Sequence, residues 1–382
     1  MRFLILLLAV SMSLPTAAVA GNFPSGELEA IQASTLGATQ GKKPYTGNSF
    51  DAYVLSQDSV SYLVSYVGQE RVNRIGPNGV TKSNRAYENG TSDLYIETQK
   101  VGYQVIRAGI ASNNMDWIHR GLMALEWGLQ PSVLGEDGSF PDQRETDTVI
   151  GRALHPKSIF LDSAAHAVLA IRQADVPQEM KDRAEALVPK LYLAVNEIVD
   201  SGDAAKFFKV VGNSSQLAFV AVAIHQVGLL ADDESLRTLA QQQIQSIIDK
   251  QFEDGAFLER GGFDTSYQMN TLELTTAYNA TLPAGEWRNR VALSNKSAAD
   301  WFLSRVRPDG TVDTTGNTRQ EPCGSTPGYF PKGLDIDNIP IRLLYYGYLS
   351  GRIQKILPAA NKIQFAGVTY DHFGHCSNKV VD

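Results

Sequence analysis

Apolar residues recur at helical spacing along most of the chain, which is the pattern of amphipathic helices packed on a core. After a first helix near 53–64, the pattern predicts helices over residues 99–111, 115–128, 158–173, 178–199, 215–230, 234–250, 268–278, 287–305 and 338–356. Asn113 or Asn114 is placed to cap the helix that starts at 115. Strand signals are few, and only residues 362–370, with Ile363, Phe365 and Val368, predict a short strand or hairpin.

Long polar loops at 74–93, 135–155 and 254–267 interrupt the helices. An Asp-Gly pair recurs at Asp137, Asp254 and Asp309, with Gly202-Asp203 near the unfilled interval, which indicates a two-helix unit of roughly 55 to 60 residues. Each such hairpin must bury its apolar face on its neighbours, as in a closed ring or an open solenoid. Loops at equivalent ends favour the ring. We therefore predict an all-α fold, an (α/α) toroid of repeated hairpins with a short irregular or β C-terminal tail.

Residues 1–20 contain one basic residue, an apolar run and a small-residue end at Ala20, which predicts a signal peptide and a mature start near Gly21. Residues 21–50 predict an irregular arm, and residues 51–382 a single toroid domain including the tail. No later stretch has the apolar length of a membrane span. We expect a secreted or periplasmic protein that does not enter a membrane.

The net charge of −7 at pH 7 argues against nucleic acid as a partner. Any acidic substrate must then be attracted by local arginines. The two cysteines, Cys323 and Cys376, predict one disulfide in an oxidising compartment, with two free thiols as the alternative. No Cys or His cluster has the spacing of metal ligands. We expect no metal, no cofactor and a monomer.

The loop at 254–267 has unusual chemistry for a helix connection. Its glycines allow a close backbone approach, Arg260 supplies a fixed cation, and Tyr267 supplies a phenol. About one repeat earlier, Asn213 stands at the mouth of an apolar helix, where it is either a helix cap or part of a site. In a repeat architecture, Asn213 and Tyr267 lie at equivalent places in neighbouring hairpins.

An Asn at a helix start, followed one repeat later by Asp-Gly, an Arg and a Tyr, resembles the (α/α)-toroid polysaccharide lyases, including alginate, glucuronan and heparinoid lyases. The resemblance implies that Asn213 neutralises a uronate carboxylate, that Tyr267 transfers protons, and that Arg260 holds the substrate or tunes the tyrosine. It covers mainly residues 200–280 and extends loosely over 50–356. Alginate lyases of polysaccharide lyase family 5 have His directly after the Asn, whereas this chain has Ser214, which points towards a family 38 type.

The chemistry of a lyase fits these residue types. Removal of H5 from a uronate requires its carboxylate to be neutralised, which amide donors achieve without a metal. A phenol needs a nearby cation to act as a base, and Arg260 is the natural candidate. In β-linked glucuronate or mannuronate, one tyrosine can take the proton and return it to the leaving oxygen. The substrate implied is an anionic polysaccharide, with glucuronan or polymannuronate first.

The remaining candidates are less marked. His166 lies in an apolar helix, either as a satisfied core residue or as a catalytic one. Arginines and aromatic platforms suit an anionic sugar chain, and the candidates for substrate binding are Arg85, Tyr87, Trp117, His119, Arg144 and Arg152. A toroid glycoside hydrolase with two carboxylates, a uronate C5-epimerase and a non-enzymatic glycan-binding α-solenoid are the competing interpretations.

Overall fold

The computed structural model describes residues 71–81, 96–140, 150–318 and 339–365. Regular structure in these ranges is helical, and β pairing there consists of isolated bridges. The α-helices are α1 (Val101–Ser112), α2 (Met115–Gly128), α3 (Ile150–Gln173), α4 (Gln178–Glu185), α5 (Val188–Asp200), α6 (Asp203–Val210), α7 (Ser214–Leu230), α8 (Glu234–Asp249), α9 (Thr265–Thr281), α10 (Glu286–Ser304), α11 (Ile339–Leu349) and α12 (Ile353–Phe365). The prediction of an all-α fold is confirmed.

Consecutive helices pack as hairpins. Helix α1 packs on α2, α7 on α8, α9 on α10 and α11 on α12, while α3 packs on the shorter helices α4 and α5. The first helices of successive hairpins also pack side by side, in the order α1, α3, α7, α9 and α11. These five are the inner helices, and their partners form an outer layer. The apolar core lies between the layers, where each hairpin buries its face on its neighbours.

Side-chain contacts close the ring. The guanidinium of Arg107 on α1 lies 4.7 Å from the ring centroid of Tyr345 on α11. Next to it, Arg342 on α11 forms a 2.9 Å ion pair with Glu273 on α9. The first and last inner helices of the described chain are therefore neighbours, so the hairpins form a toroid rather than an open solenoid.

Helix α7 is the most deeply buried inner helix. Its residues from Leu217 to Leu230 are almost all apolar and inaccessible, and it packs on α3, α5, α8 and α9. A helix that is apolar all round must be enclosed on every side. Its N-terminal end, which begins after Asn213, is thereby fixed relative to the neighbouring hairpins.

One turn is repeated around the ring with the same hydrogen bonds. In each copy the side chain of the Asp or Asn accepts from the N–H two residues on, and the Gly that follows has positive φ. The copies are Asn78-Gly79, Asp137-Gly138, Asp254-Gly255 and Asp309-Gly310. A Cβ at Gly255 would come within 2.3 Å of the carbonyl oxygen of Ser297 on outer helix α10, so the turn docks against backbone.

The repeat extends beyond the Asp-Gly pairs that the sequence marks. Asn78-Gly79 is a further copy, and sequence analysis missed it because Asn replaces Asp. Gly202, proposed for the unfilled interval, is instead the N-cap residue of α6. That interval contains a short helix that the sequence pattern did not predict.

The largest differences from the predicted helices are one earlier start and two divisions, and two of these three involve proline. Helix α3 starts at Ile150, earlier than predicted, and contains Pro156; Leu154 in the turn before the proline is buried in the core. The predicted helix 178–199 is two helices, because Pro189 lacks the N–H that would continue the ladder. The predicted helix 338–356 is divided at Gly351, which has a φ of 73°.

Residues 362–365, where the β tail was expected to begin, continue α12 instead. The rest of that tail, the signal peptide at 1–20, the arm at 21–50 and the helix near 53–64 lie outside the described residues. Among the helices that the structure describes, none has both the length and the apolarity to cross a membrane.

Candidate functional site

The loops before α7 and α9 meet through a short antiparallel pairing of backbone. The N–H of Ser214 donates to the carbonyl of Leu258 at 2.9 Å. The N–H of Arg260 donates to the carbonyl of Gly212 at 3.3 Å. These bonds lie on either side of Asn213, so the backbone of Asn213 and that of Arg260 are adjacent at one end of the ring.

Asn213 occupies the N-cap position of α7, but its side chain makes no capping hydrogen bond. Its Nδ2 donates instead to Oε1 of Gln216 at 3.1 Å, and the residue is 7% exposed. Glu259, 2% exposed, supplies a carboxylate at this helix end and accepts from the Ser215 hydroxyl at 3.1 Å. A negative charge at a helix N-terminus is stabilising. Because Glu259 supplies it, the amide of Asn213 is not used as a cap.

Arg260 is exposed and has a φ of 53°, in the left-handed region that few residues other than glycine adopt. Gly261 follows with a φ of 81°. The turn is tied by the N–H of Glu259, which donates to the carbonyl of Gly262 at 2.7 Å. A strained backbone that the surrounding bonds hold in place is typical of functional loops.

Tyr267 lies in the first turn of α9 and is partly exposed. The N-cap residue Asp264 accepts from the N–H groups of Ser266 and Tyr267, each at 3.0 Å. The next residue, Gln268, is buried and hydrogen-bonded to the Asp-Gly turn. The helix start that carries Tyr267 is therefore held from both sides, and α9 packs directly against α7.

The chain after the next Asp-Gly turn clamps this loop. Asn317 accepts from the N–H of Thr265 at 3.2 Å and donates to its hydroxyl at 2.9 Å. The N–H of Thr318 donates to the carbonyl of Phe263 at 2.9 Å. The guanidinium of Arg305 lies 4.3 Å from the ring centroid of Phe263. Three hairpins therefore determine the geometry of the loop.

The interior of the ring contains a second set of polar groups. Tyr103 on α1 stacks on His166 of α3, with ring centroids 5.5 Å apart. Nδ1 of His166 lies 3.0 Å from Asp162 Oδ1 and 3.1 Å from its carbonyl oxygen. Arg107 lies one turn beyond Tyr103 and packs on Tyr345. We call Tyr103, Arg107, Asp162, His166 and Tyr345 the interior cluster.

The pKa shifts in this cluster favour a protonated His166 and neutral hydroxyls on Tyr103 and Tyr345. Burial lowers the pKa of His166, but the Asp162 carboxylate outweighs it and raises this pKa above 6.5. Burial raises the pKa of Tyr103, with the charge of Arg107 acting in the opposite sense. Burial also raises the pKa of Tyr345. The two phenols are therefore hydrogen-bond donors near neutral pH and not bases.

The interior cluster lies deeper in the ring than the loops. Glu273, which forms an ion pair with Arg342 and acts electrostatically on Arg107, is on the same helix as Tyr267. Six residues of α-helix separate Glu273 from Tyr267, or about 9 Å along the axis. His166, a catalytic candidate from the sequence, belongs to this deeper level, whereas Asn213, Arg260 and Tyr267 belong to the loop level.

Two of the predicted substrate contacts lie in the described part of the outer layer. Trp117 and His119 lie on outer helix α2, where Trp117 packs on a small apolar cluster around Ile75 and His119 contacts Arg183. Both side chains therefore have neighbours within the outer layer, and their role as substrate contacts stays a prediction. Arg152 lies near the start of α3, with its side chain outside the description. The other candidates that fall outside the described residues are Arg85, Tyr87, Arg144, Cys323 and Cys376.

Sequence analysis missed most of the interior cluster. Tyr103 with Arg107, and Asp162 with His166, are pairs four residues apart, a spacing that places both members on one helix face. A polar pair at that spacing inside an apolar helix is the signal that marks an inward face. In the described part of the chain, no group of three or more His, Cys, Asp or Glu side chains is arranged to hold a metal.

Loops from three hairpins over a polar ring interior define an α-helical toroid with a candidate site at one end. No protein-family model and no curated protein matches the chain. A solved structure of Streptomyces coelicolor A3 chondroitin AC lyase in complex with chondroitin sulphate is similar, with 14% identity and a TM-score of 0.49 over 86% of this chain and 43% of that one.

A mutant of the same enzyme gives 13% identity and a TM-score of 0.49, over 85% of this chain and 42% of that one. A chondroitinase AC lyase studied with oligosaccharides gives 15% identity and a TM-score of 0.46, over 90% of this chain and 45% of that one. The chain thus spans less than half the length of these solved structures.

Proposed function

We propose that the chain is a polysaccharide lyase that cleaves a uronate-containing polysaccharide by β-elimination, with glucuronan or polymannuronate as the first substrates to test. The observation that carries the proposal is the backbone pairing beside Asn213. It joins the loop of Arg260 to the start of α7, one helix away from Tyr267. An amide, a guanidinium and a phenol are the groups that this elimination requires.

The reaction would proceed by proton transfer through Tyr267. Asn213 binds the uronate carboxylate and lowers the cost of the charge that develops when H5 leaves. The phenol oxygen of Tyr267 takes H5, a double bond forms between C4 and C5, and the bond from C4 to the glycosidic oxygen breaks. The phenol then returns the proton to that oxygen. Arg260 supplies a cation in the same loop, which suits it to hold the anionic substrate chain.

The carboxylates of the loops and of the interior cluster have structural roles, which fits a lyase better than a hydrolase. Asp264 caps α9 through two N–H groups. Glu259 accepts a hydrogen bond from the Ser215 hydroxyl at the start of α7, and Asp162 forms an ion pair with His166. A hydrolase needs two carboxyl groups available to the glycosidic bond.

We further propose a secreted or periplasmic monomer that needs no cofactor.

The test measures the ultraviolet absorbance of the unsaturated product on glucuronan, polymannuronate, polyguluronate, pectate and glycosaminoglycans. We expect Tyr267→Phe to lower kcat by at least about 10²-fold, because it removes the group that carries the proton. Asn213→Ala should lose a similar factor, since it removes a donor to the developing charge. Tyr192→Phe is the matched control, because its hydroxyl bonds to Asp233 in the outer layer.

Asp264→Asn separates the lyase from the hydrolase. Asparagine is as good an N-cap as aspartate, so a lyase should keep most of its activity in this variant. Loss of activity in Asp264→Asn with retention in Tyr267→Phe would establish the hydrolase. Exchange of H5 with solvent without an unsaturated product would establish the epimerase, and no turnover on any polyuronate would leave only glycan binding.

A further inference from the structure

Arg107 is a partly buried cation without a close counterion. Its guanidinium packs on the Tyr345 ring, and no carboxylate of the described residues lies within the 4.0 Å of an ion pair. Glu273 acts on it only at longer range, because the close partner of Glu273 is Arg342. Withdrawing a charge from water is costly unless a partner compensates for it. The position therefore suits an anion that enters the ring.

His166 presents a second group to the same space. Its Nδ1 is engaged by Asp162, which leaves Nε2 on the side away from that carboxylate. Nε2 has no hydrogen-bond partner in the part of the chain that the structure describes, and the side chain is 14% exposed. A histidine oriented in this way by a carboxylate presents its other nitrogen to a ligand.

The balance of charge favours an anion. Arg107, His166 and Arg342 can each be positive, whereas Asp162 and Glu273 are the carboxylates that act on the cluster. With His166 protonated, one positive charge is left over. The phenols of Tyr103 and Tyr345 flank Arg107 and supply neutral donors. Such a set recognises a carboxylate and does not by itself supply a base.

We propose that Arg107, His166, Tyr103 and Tyr345 form a subsite inside the ring that binds the carboxylate of a second uronate residue of the substrate chain. The subsite is on the side of Glu273, which acts on Arg107 and lies about 9 Å from Tyr267 along the axis of α9, so it is separate from the position at which the bond is cleaved. The identity of the ligand rests on the proposed function, while the existence of an anion site rests on the interior cluster alone.

Binding is measured by calorimetry with a uronate oligosaccharide in the Tyr267→Phe background, where turnover does not blur the signal. Arg107→Gln should weaken binding at least about tenfold, because it removes a charge-assisted bond. Arg107→Lys should recover part of the affinity, since it restores the charge but not the planar fork. Arg183→Gln is the matched control, because that arginine pairs with Glu126 on the outer face.

In the active enzyme, Arg107→Gln should raise KM more than it lowers kcat, because the subsite contributes binding away from the cleaved bond. If Arg107→Gln does not fold, His166→Gln takes its place with the same expectation. Unchanged affinity in a folded variant overturns the subsite. Uronate binding that depends on Arg107, without unsaturated product from any polyuronate, supports the subsite and overturns the proposed lyase.

Discussion

At the scale of single residues, the loop places Arg260 in a backbone conformation that glycine adopts more easily. Arg260→Gly should therefore keep or raise stability, by up to about 1 kcal/mol after the entropy of glycine is counted. The same change should lower kcat/KM, because it removes the cation that the proposed mechanism uses in this loop. Denaturant unfolding and kinetics on one preparation measure both effects.

Asn113→Gly is the matched control, because Asn113 also has a φ of 53° but is the C-cap residue of α1, outside the loops before α7 and α9. It should change stability in the same sense and leave activity as it is. A loss of stability in Arg260→Gly would mean that contacts of the arginine side chain, and not catalysis, explain its conformation.

His225 is a buried histidine whose contribution to stability should be measurable at acid pH. Its Nε2 donates to the Thr281 hydroxyl at 2.9 Å, because that hydroxyl already donates to the Tyr278 carbonyl. Burial, with the charges of His166 and Arg237, lowers its pKa from 6.5 to about 3. Below pH 6.5, His225 is therefore protonated in the unfolded chain but stays neutral in the native protein. The free energy of unfolding falls as the pH drops towards 3.

In His225→Gln, the free energy of unfolding should fall less between neutral pH and about pH 4, by on the order of a few kcal/mol, than it does in the wild type. His166 acts in the opposite sense: its raised pKa stabilises the fold below 6.5, and this contribution is lost as the pH rises through the raised value. Chemical denaturation of both proteins across the range measures the difference. Parallel curves for wild type and variant would show that His225 is protonated in the native state.

At the scale of elements, two buried glutamines perform the same task in different hairpins. Gln268 accepts from Phe257 N–H and donates to the carbonyls of Gly255 and Ala298. Gln99 makes the equivalent three bonds in another hairpin. It accepts from the N–H of Thr81 and donates to the carbonyls of Gly79 and Ala124. Each glutamine joins an Asx-Gly turn to an outer helix. The two hairpins therefore share a hydrogen-bond pattern that their sequences show less clearly.

Gln268→Met and Gln99→Met should each destabilise the fold by about 1–3 kcal/mol, because buried backbone groups lose their partners. Only Gln268→Met should also lower kcat, since Gln268 follows Tyr267 and fixes the start of α9. Thermal unfolding and initial rates on both variants provide the comparison. Equal effects on kcat would show that the glutamine has no specific role in positioning Tyr267.

Local patterns predicted most of the helices, but not the breaks that depend on packing. The bounds of α2 follow from its cap at Asn114 and its apolar spacing. Pro156 lies inside α3, whereas Pro189 starts α5. The same residue type thus has opposite outcomes, because buried contacts before Pro156 override its local preference and the sequence alone does not show them.

At the scale of the whole molecule, the repeat of helical hairpins was predictable, whereas the contents of the ring were not. The spacing of Asp137, Asp254 and Asp309 indicates the repeat, and stacking of hairpins follows from it. The meeting of Arg107 with Tyr345 depends on ring closure between residues far apart in the chain. Periodicity within one helix therefore identifies an inward polar face, but not the partner that the face meets.

Placement of cations inside an acidic molecule leads to a prediction about salt. The whole chain carries a net charge of −7 at pH 7, which should repel a polyuronate at long range, while the cations of the proposed subsite should attract it. Raising the ionic strength from about 0.01 M to about 0.15 M shortens the screening length from about 30 Å to about 8 Å, which weakens the long-range repulsion but affects partly buried contacts much less. KM should therefore stay level or fall as salt is added. A steep rise of KM over this range, with kcat constant, would mean that exposed arginines and not the ring interior bind the substrate.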